Sequence, residues 1–299
     1  MLKPSLLVPL VASVFATTSV GEEAPKKRMI MTWVPPYAVD KCHARLNESF
    51  DGVGMKEGLT HLALQFWAPT KKGGVERTAK YGAISDATVS AFRDWAHAHG
   101  VRVMLCVFNG VDTWDWPLAC AAFADQRKEF VAALVAETER LALDGVDVDL
   151  EGNGSLDSSK DAFVQFVHDL SDRLHAAGKQ ITVDTFSYKR NAPNQTWWAE
   201  LLPLVDGLTT MGYDEIGANA SDWRGYAAQK AAAGAHASKL LIGMPGDKAQ
   251  WQDTAAGAHL EWVTRDQAVG LAIWDAQLEA QAWRTRRIWE DIAKIRAGT

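Results

Sequence analysis

Residues 144–151 read Asp144-Gly145-Val146-Asp147-Val148-Asp149-Leu150-Glu151. Acids stand at 147, 149 and 151, with Val146, Val148 and Leu150 at the alternate positions. A period of two is the pattern of a β-strand. On a strand the three acids share one face and the apolar residues take the other. Same-face neighbours lie only about 6.6 Å apart along the backbone. Carboxylates this close do not all ionise freely, so at least one pKa is expected to rise. A raised carboxyl beside an ordinary one suits general acid–base chemistry near neutral pH. Two plainer readings compete, a calcium site and a solvated acidic edge strand. Calcium loops carry Gly and Asn/Asp turns rather than Val/Leu alternation, which disfavours the first.

Working outward, strand-like apolar runs recur at 29–33, 61–67, 101–108, 144–151, 180–186, 207–213, 239–244 and 269–274. Helical stretches are expected at 85–99, 126–143, 158–177, 195–204, 221–238, 253–265 and 278–297. The first connection, Cys42 to Leu59, is Gly-rich and less defined. Eight strands alternating with helices indicate a parallel α/β protein, and over 299 residues the (β/α)8 TIM barrel is the natural solution. An open doubly wound sheet predicts a glycine-rich phosphate loop after an early strand, and none is present. No repeat, linker or low-complexity tract divides residues 29–299, so one domain is expected. Active sites of such barrels lie at the C-terminal strand ends. Glu151 ends the fourth strand, Tyr213 and Asp214 the sixth, and Trp274 and Asp275 the eighth.

The spacing Asp144-x-x-Asp147-x-Asp149-x-Glu151 resembles the signature of glycoside hydrolase family 18, the chitinases and endo-β-N-acetylglucosaminidases. Met211-Gly212-Tyr213-Asp214 is similar to that family's Met-x-Tyr-Asp motif, and Trp274 to its tryptophan on strand eight. The resemblance implies retaining hydrolysis assisted by the substrate, without a second carboxylate as nucleophile. Glu151 would be the general acid and base. Asp149 would orient the sugar's acetamido group, and Asp147 would share a proton with Asp149. Tyr213 would donate to the acetamido oxygen, Asp214 would bind sugar hydroxyls, and Trp274 would floor the reacting subsite. Asp144, of opposite parity, is given a structural role at the strand start. One departure stands out: the family's third strand usually ends in Ser-x-Gly-Gly. Here the run is Cys106-Val107-Phe108-Asn109-Gly110, which is expected to alter a subsite but not to touch the acid.

Thirteen tryptophans against five tyrosines fit stacking on sugar rings where they occupy strand ends and loops. Trp33 and Trp67, ending strands one and two, are candidates to line the cleft. Trp114 and Trp116, in the loop after strand three, are candidates for outer subsites. The short stretch after strand seven leaves no room for a large insertion, so an open cleft is expected. A net charge of -6 and a pI near 5.8 argue against nucleic acid or anionic membranes as partners. No metal spacing or cofactor motif is found.

Residues 1–21 look like a secretory signal: Lys3, an apolar run from Leu6 to Ala16, and small residues near 19–21. Residues 22–28 read as a flexible polar lead. A secreted or periplasmic monomer is expected. Of three cysteines, Cys106 lies in an apolar run, and Cys42 with Cys120 is the favoured disulfide pair. The substrate expected is β-1,4-linked N-acetylglucosamine in chitin or its oligomers. The alternatives are the chitobiose core of N-glycans, a catalytically silent oligosaccharide-binding lectin, and a metal-dependent barrel enzyme. The intact Glu151 disfavours the lectin. Acids drawn mainly from one strand disfavour the metal enzyme.

Overall fold

Each of the eight apolar runs pairs with its neighbours in parallel. The computed structural model describes residues 27–152, 156–185, 193–211, 224–246, 263, 266 and 268–298. The strands are β1 (Ile30–Val34), β2 (His61–Pro69), β3 (Arg102–Phe108), β4 (Gly145–Asp149), β5 (Gln180–Thr185), β6 (Gly207–Thr210), β7 (Leu240–Pro245) and β8 (Gly270–Trp274). They pair in chain order, and β1 also pairs with β8, which closes the barrel. Helices α1 (Val39–Leu46), α2 (Asp86–Ala98), α3 (Arg127–Arg140), α4 (Lys160–Ala176), α5 (Arg224–Ala233) and α6 (Arg286–Ala297) run between or after the strands. The architecture is the (β/α)8 barrel that the alternation implies.

The helices form where cap and stripe agree. In α2 the Ser85 hydroxyl accepts from the Thr88 N–H at 3.1 Å, an N-cap bond. Its Val89, Phe92 and Ala96 form one buried stripe, and Gly100 leaves the helix at φ +66°, a left-handed turn that favours glycine. In α4 the stripe is Phe163, Phe166, Val167, Leu170 and Leu174. These stripes meet the outward residues of the strands, such as Val103, Leu105 and Val107 on β3 and Val146 and Val148 on β4.

The barrel interior is divided by height. Low down, Met29, Met104 and Leu241 fill space beside glycines on the strands. A Cβ on Gly145 would lie 2.6 Å from Met104 Cε, and one on Gly207 would lie 2.8 Å from Met29 Sδ. This floor is apolar, so the interior polar groups collect above it, toward the C-terminal ends of the strands.

Several expectations need correction. The unclear first connection holds α1, a two-stranded hairpin (Ser49–Phe50 with Val53–Gly54) and a short helix, Met55–Gly58. A short strand, Val75–Arg77, adds antiparallel to the end of β2. The last helix starts at Arg286, after a 3-10 turn at Gln281–Trp283, rather than at 278. Cys42, Cys106 and Cys120 are all free thiols. Cys42 is buried on α1, whereas Cys120 lies beside Ser159, Sγ to Oγ 3.5 Å. The two sit on connections after different strands, so the expected pair is not formed. The signal and the helix expected at 253–265 fall on residues outside those described, apart from Val263 in a helical position. Arg28, at the end of the polar lead, is buried and donates to Val263 O and Ile295 O.

Candidate active site

Asp147 and Asp149 point into the barrel from β4, 0% and 3% exposed. Asp147 accepts from Trp33 Nε1 at 2.8 Å and from Thr182 Oγ1 at 2.5 Å. Asp149 accepts from Gln65 Nε2 at 2.7 Å, and its other oxygen is buried with no donor among the described residues. Its carboxyl instead makes a hydrogen bond with Glu151. Two carboxyl groups bond this way only around a shared proton.

Burial sets the charge here. An ionised carboxylate without a cation loses several kcal/mol of solvation in such a place, so the group takes up a proton instead. Burial raises Asp149 to about 7, and the charge of Asp147 adds to the rise. Burial raises Asp147 as well, while bonds from Thr182 and Trp33 pull it back. A carboxyl near 7 next to Glu151 can pass a proton at neutral pH.

Glu151 is half-buried, just past the end of β4. Asn109, 3% exposed at the end of β3, grips its backbone twice. Asn109 Nδ2 donates to Glu151 O at 2.8 Å, and Glu151 N donates to Asn109 Oδ1 at 2.8 Å. This corrects the expectation that the departure at the third strand leaves the acid untouched. Trp116 closes over the next residue, where a Cβ on Gly152 would lie 2.7 Å from its ring.

Trp33 is buried inside the barrel, and its ring lies 5.9 Å from the half-exposed ring of Trp274. Trp67 is not in the cleft. The register runs Gln65↔Cys106 and then Trp67↔Val107, so β2 holds one extra residue. This bulge turns both Phe66 and Trp67 outward into the core under the helices. There Trp67 Nε1 donates to Glu137 on α3 at 3.1 Å. Trp114 is 42% exposed and packs over Gly110. Trp116 begins a short helix, Trp116–Cys120, rather than lying in loop, and Asp115 caps that helix through Leu118 N. Tyr213 and Asp214 lie outside the described residues.

Asp144 sits below, at the start of β4, and accepts from Val103 N at 2.7 Å and from His97 Nε2 at 2.8 Å. Asp206 repeats this at the start of β6, accepting from Ile181 N and His175 Nε2. Such latches tie one helix end and two strand starts together, far from the acids at the other end.

The sequence reading passed over Asn109, Gln65, Thr182 and Asp184. Asp184 is 4% exposed and level with Asp149 on the neighbouring strand, one step past Val148↔Val183. Its signal was the alternation Thr182-Val183-Asp184, the same period as on strand four. Among the described residues no three such side chains are placed to hold a metal ion.

Residues 37–295 match the family model for glycosyl hydrolases family 18. The chain belongs to this family. It is therefore a family 18-type glycosidase. Solved structures share the family fold at low identity. A chitinase from Chromobacterium violaceum ATCC 12472 is 17% identical with a TM-score of 0.68, covering 90% of this chain and 98% of that one. A class V chitinase from Pseudomonas fluorescens Pf-5 is 15% identical with a TM-score of 0.71, covering 89% and 98%. The spore cortex-lytic enzyme SleL of Bacillus cereus is 12% identical with a TM-score of 0.66, covering 93% and 78%. No curated protein sequence matches the chain.

Proposed function

We propose that this family 18 glycosidase hydrolyses β-1,4-linked N-acetylglucosamine, in chitin or its oligomers, with retention and with help from the substrate. The observation that carries the reading is the pair Asp149–Glu151. One proton is shared by a deep carboxyl and a half-exposed one whose backbone Asn109 fixes. Glu151 protonates the glycosidic oxygen as the bond to the anomeric carbon breaks. The acetamido oxygen of the same sugar attacks that carbon, so no carboxylate nucleophile is required. Asp149 accepts from the acetamido N–H and balances the positive charge of the cyclic intermediate. Glu151 then takes a proton from the water that opens it. Trp274, half-exposed beside Trp33, offers the apolar face against which the reacting sugar rests. The resemblance adds Tyr213 and Asp214 to this set. The signal-like residues 1–21 support action outside the cytoplasm.

The test is to incubate the protein with N-acetylglucosamine oligomers beside Glu151→Gln and to follow products by mass. The expected result is cleavage by the parent and none by the variant. Equal cleavage by both overturns the role of Glu151. Cleavage by neither, with a glycoprotein chitobiose core cut instead, moves the substrate to N-glycans.

A further inference from the structure

Asp184 is a fourth acid in the barrel interior, and neither the family signature seen in this sequence nor the mechanism above uses it. It enters from β5, where Thr182 stands opposite Asp147 and Thr209 opposite Asp184 itself. One of its oxygens, Oδ1, is buried without a donor among the described residues. Among the described residues, the groups that face it are all acids, a thiol or neutral. They are Asp147, Asp149 and Glu151 from the β4 side, Cys106 from β3 and Thr209 from β6. Thr182, Trp33 and Gln65 stand close by through their bonds to Asp147 and Asp149. None of the Lys, Arg or His among the described residues is among these partners. Burial and the charges of Asp147 and Asp149 drive its pKa well up.

The proton has a clear place in this pair. Both oxygens of Asp147 already accept, one from Trp33 and one from Thr182. Asp147 is therefore the ionised partner, and Asp184 lies within hydrogen-bonding reach of it. A protonated Asp184 donates its O–H to Asp147, which replaces a buried charge by a charge-assisted bond. We propose that Asp184 is a positioning residue that acts through Asp147, by holding a proton of its own against Asp147 so that the second proton stays on Asp149–Glu151. The four acids then form two carboxyl pairs with one proton each. Without the first pair, Asp147 competes for the carboxyl proton on Asp149–Glu151, the one that Glu151 must deliver.

The proposal rests on the hydrolase reading for its kinetic arm and is independent of it for its spectroscopic arm. Two variants separate donor from bulk. Asp184→Asn keeps an N–H donor for Asp147 and never ionises; Asp184→Ala removes the donor. With N-acetylglucosamine oligomers, Asp184→Asn is expected to keep the parent's pH profile. Asp184→Ala is expected to lose about tenfold or more in kcat with little change in KM, the size of a lost bond to a charged group. Its alkaline limb should also move to lower pH, because Asp147 now competes for the proton. Equal losses in both variants with an unmoved profile would show bulk rather than donation and overturn the proposal. Infrared difference spectra of the parent minus Asp184→Asn at neutral pH need no substrate. The expected result is a protonated carboxyl band, shifted in heavy water, that the variant lacks. If no such band is lost, Asp184 is ionised and the proposal fails. If the band is lost but neither protein cleaves any oligomer, the proton pair stands and the chitin-oligomer substrate falls.

Discussion

The acid role proposed for Glu151 belongs to its side chain, yet its place is fixed through its backbone. Asn109 satisfies both the N–H and the C=O of that residue, so the acid's backbone is held wherever its side chain turns. Asn109→Ala leaves two polar backbone groups to find water at the rim of the site. The expected cost is about 1–3 kcal/mol of stability. In kinetics, kcat should fall about tenfold or more through misplacement of the acid, with KM nearly kept. An unchanged kcat in oligomer hydrolysis would show that the grip is structural only. Asp149 allows a test without substrate. Its carboxyl titrates at about 7 in the folded protein, against about 3.9 in an unfolded chain. The folded state thus holds a proton that the unfolded chain releases. Stability from this group is complete below about pH 4 and is lost as the pH rises through about 7. Asp149→Asn, which cannot ionise, should gain on the parent in melting temperature between about pH 5 and about pH 8. A constant difference across that range would show that Asp149 is not protonated at neutral pH.

Two tryptophans at the ends of neighbouring strands have opposite fates because of one inserted residue. Trp33 keeps the inward parity of β1 and donates to Asp147. Trp67 would keep the inward parity of Gln65, but the bulge between them turns it out toward Glu137. Trp67→Phe should therefore cost about 1–2 kcal/mol in a denaturant titration and leave kcat/KM at the parent value. Trp33→Phe removes a donor from Asp147 and should lower kcat. Equal kinetic losses in both would contradict the assignment of Trp67 to the outer core. The same pair shows what a sequence carries. The eight strands were legible because each is an apolar run bounded by helices, and Asp147, Asp149 and Glu151 because alternation fixes their common face. A bulge is a property of register between two chains of residues, and no single run announces it. Asn109 was hidden because an Asn after a strand reads as a turn; its partner stands 42 residues on. Asp184 was legible in part, since Thr182-Val183-Asp184 has the right period, but one acid without a cluster gives no reason to choose it. The short helix from Trp116 was signalled by Asp115 and Pro117, a cap followed by a helix-starting proline.

A closed barrel exposes no strand edge, and closure depends on residues from opposite ends of the chain. β1 meets β8 in the register Ile30↔Leu271 to Thr32↔Ile273. Around that seam Arg28 donates to Val263 O and Ile295 O, and Arg296 donates to Lys56 O, Glu57 O and Gly100 O. Trp289 and Ile292 of α6 pack directly on Gly58, which the lack of a side chain permits. Such contacts form only after nearly the whole chain is in place, and non-local closure of this kind is slow and cooperative. The site depends on the seam, because Trp33 comes from β1 and Trp274 from β8. A fault at the seam should therefore remove folded molecules, whereas a fault at Asn109 should slow molecules that remain folded. Gly58→Ala tests this. Its Cβ would lie 2.8 Å from Trp289 Cε3 and 2.9 Å from Ile292 Cγ2, an overpacking worth about 1–3 kcal/mol. The expected outcome is a lower melting temperature with parent-like kcat per folded molecule well below that temperature. A parent-like melt would mean that α6 shifts freely on the barrel. A lowered kcat at low temperature would mean that the strain of the seam reaches the acids through β1 and β8.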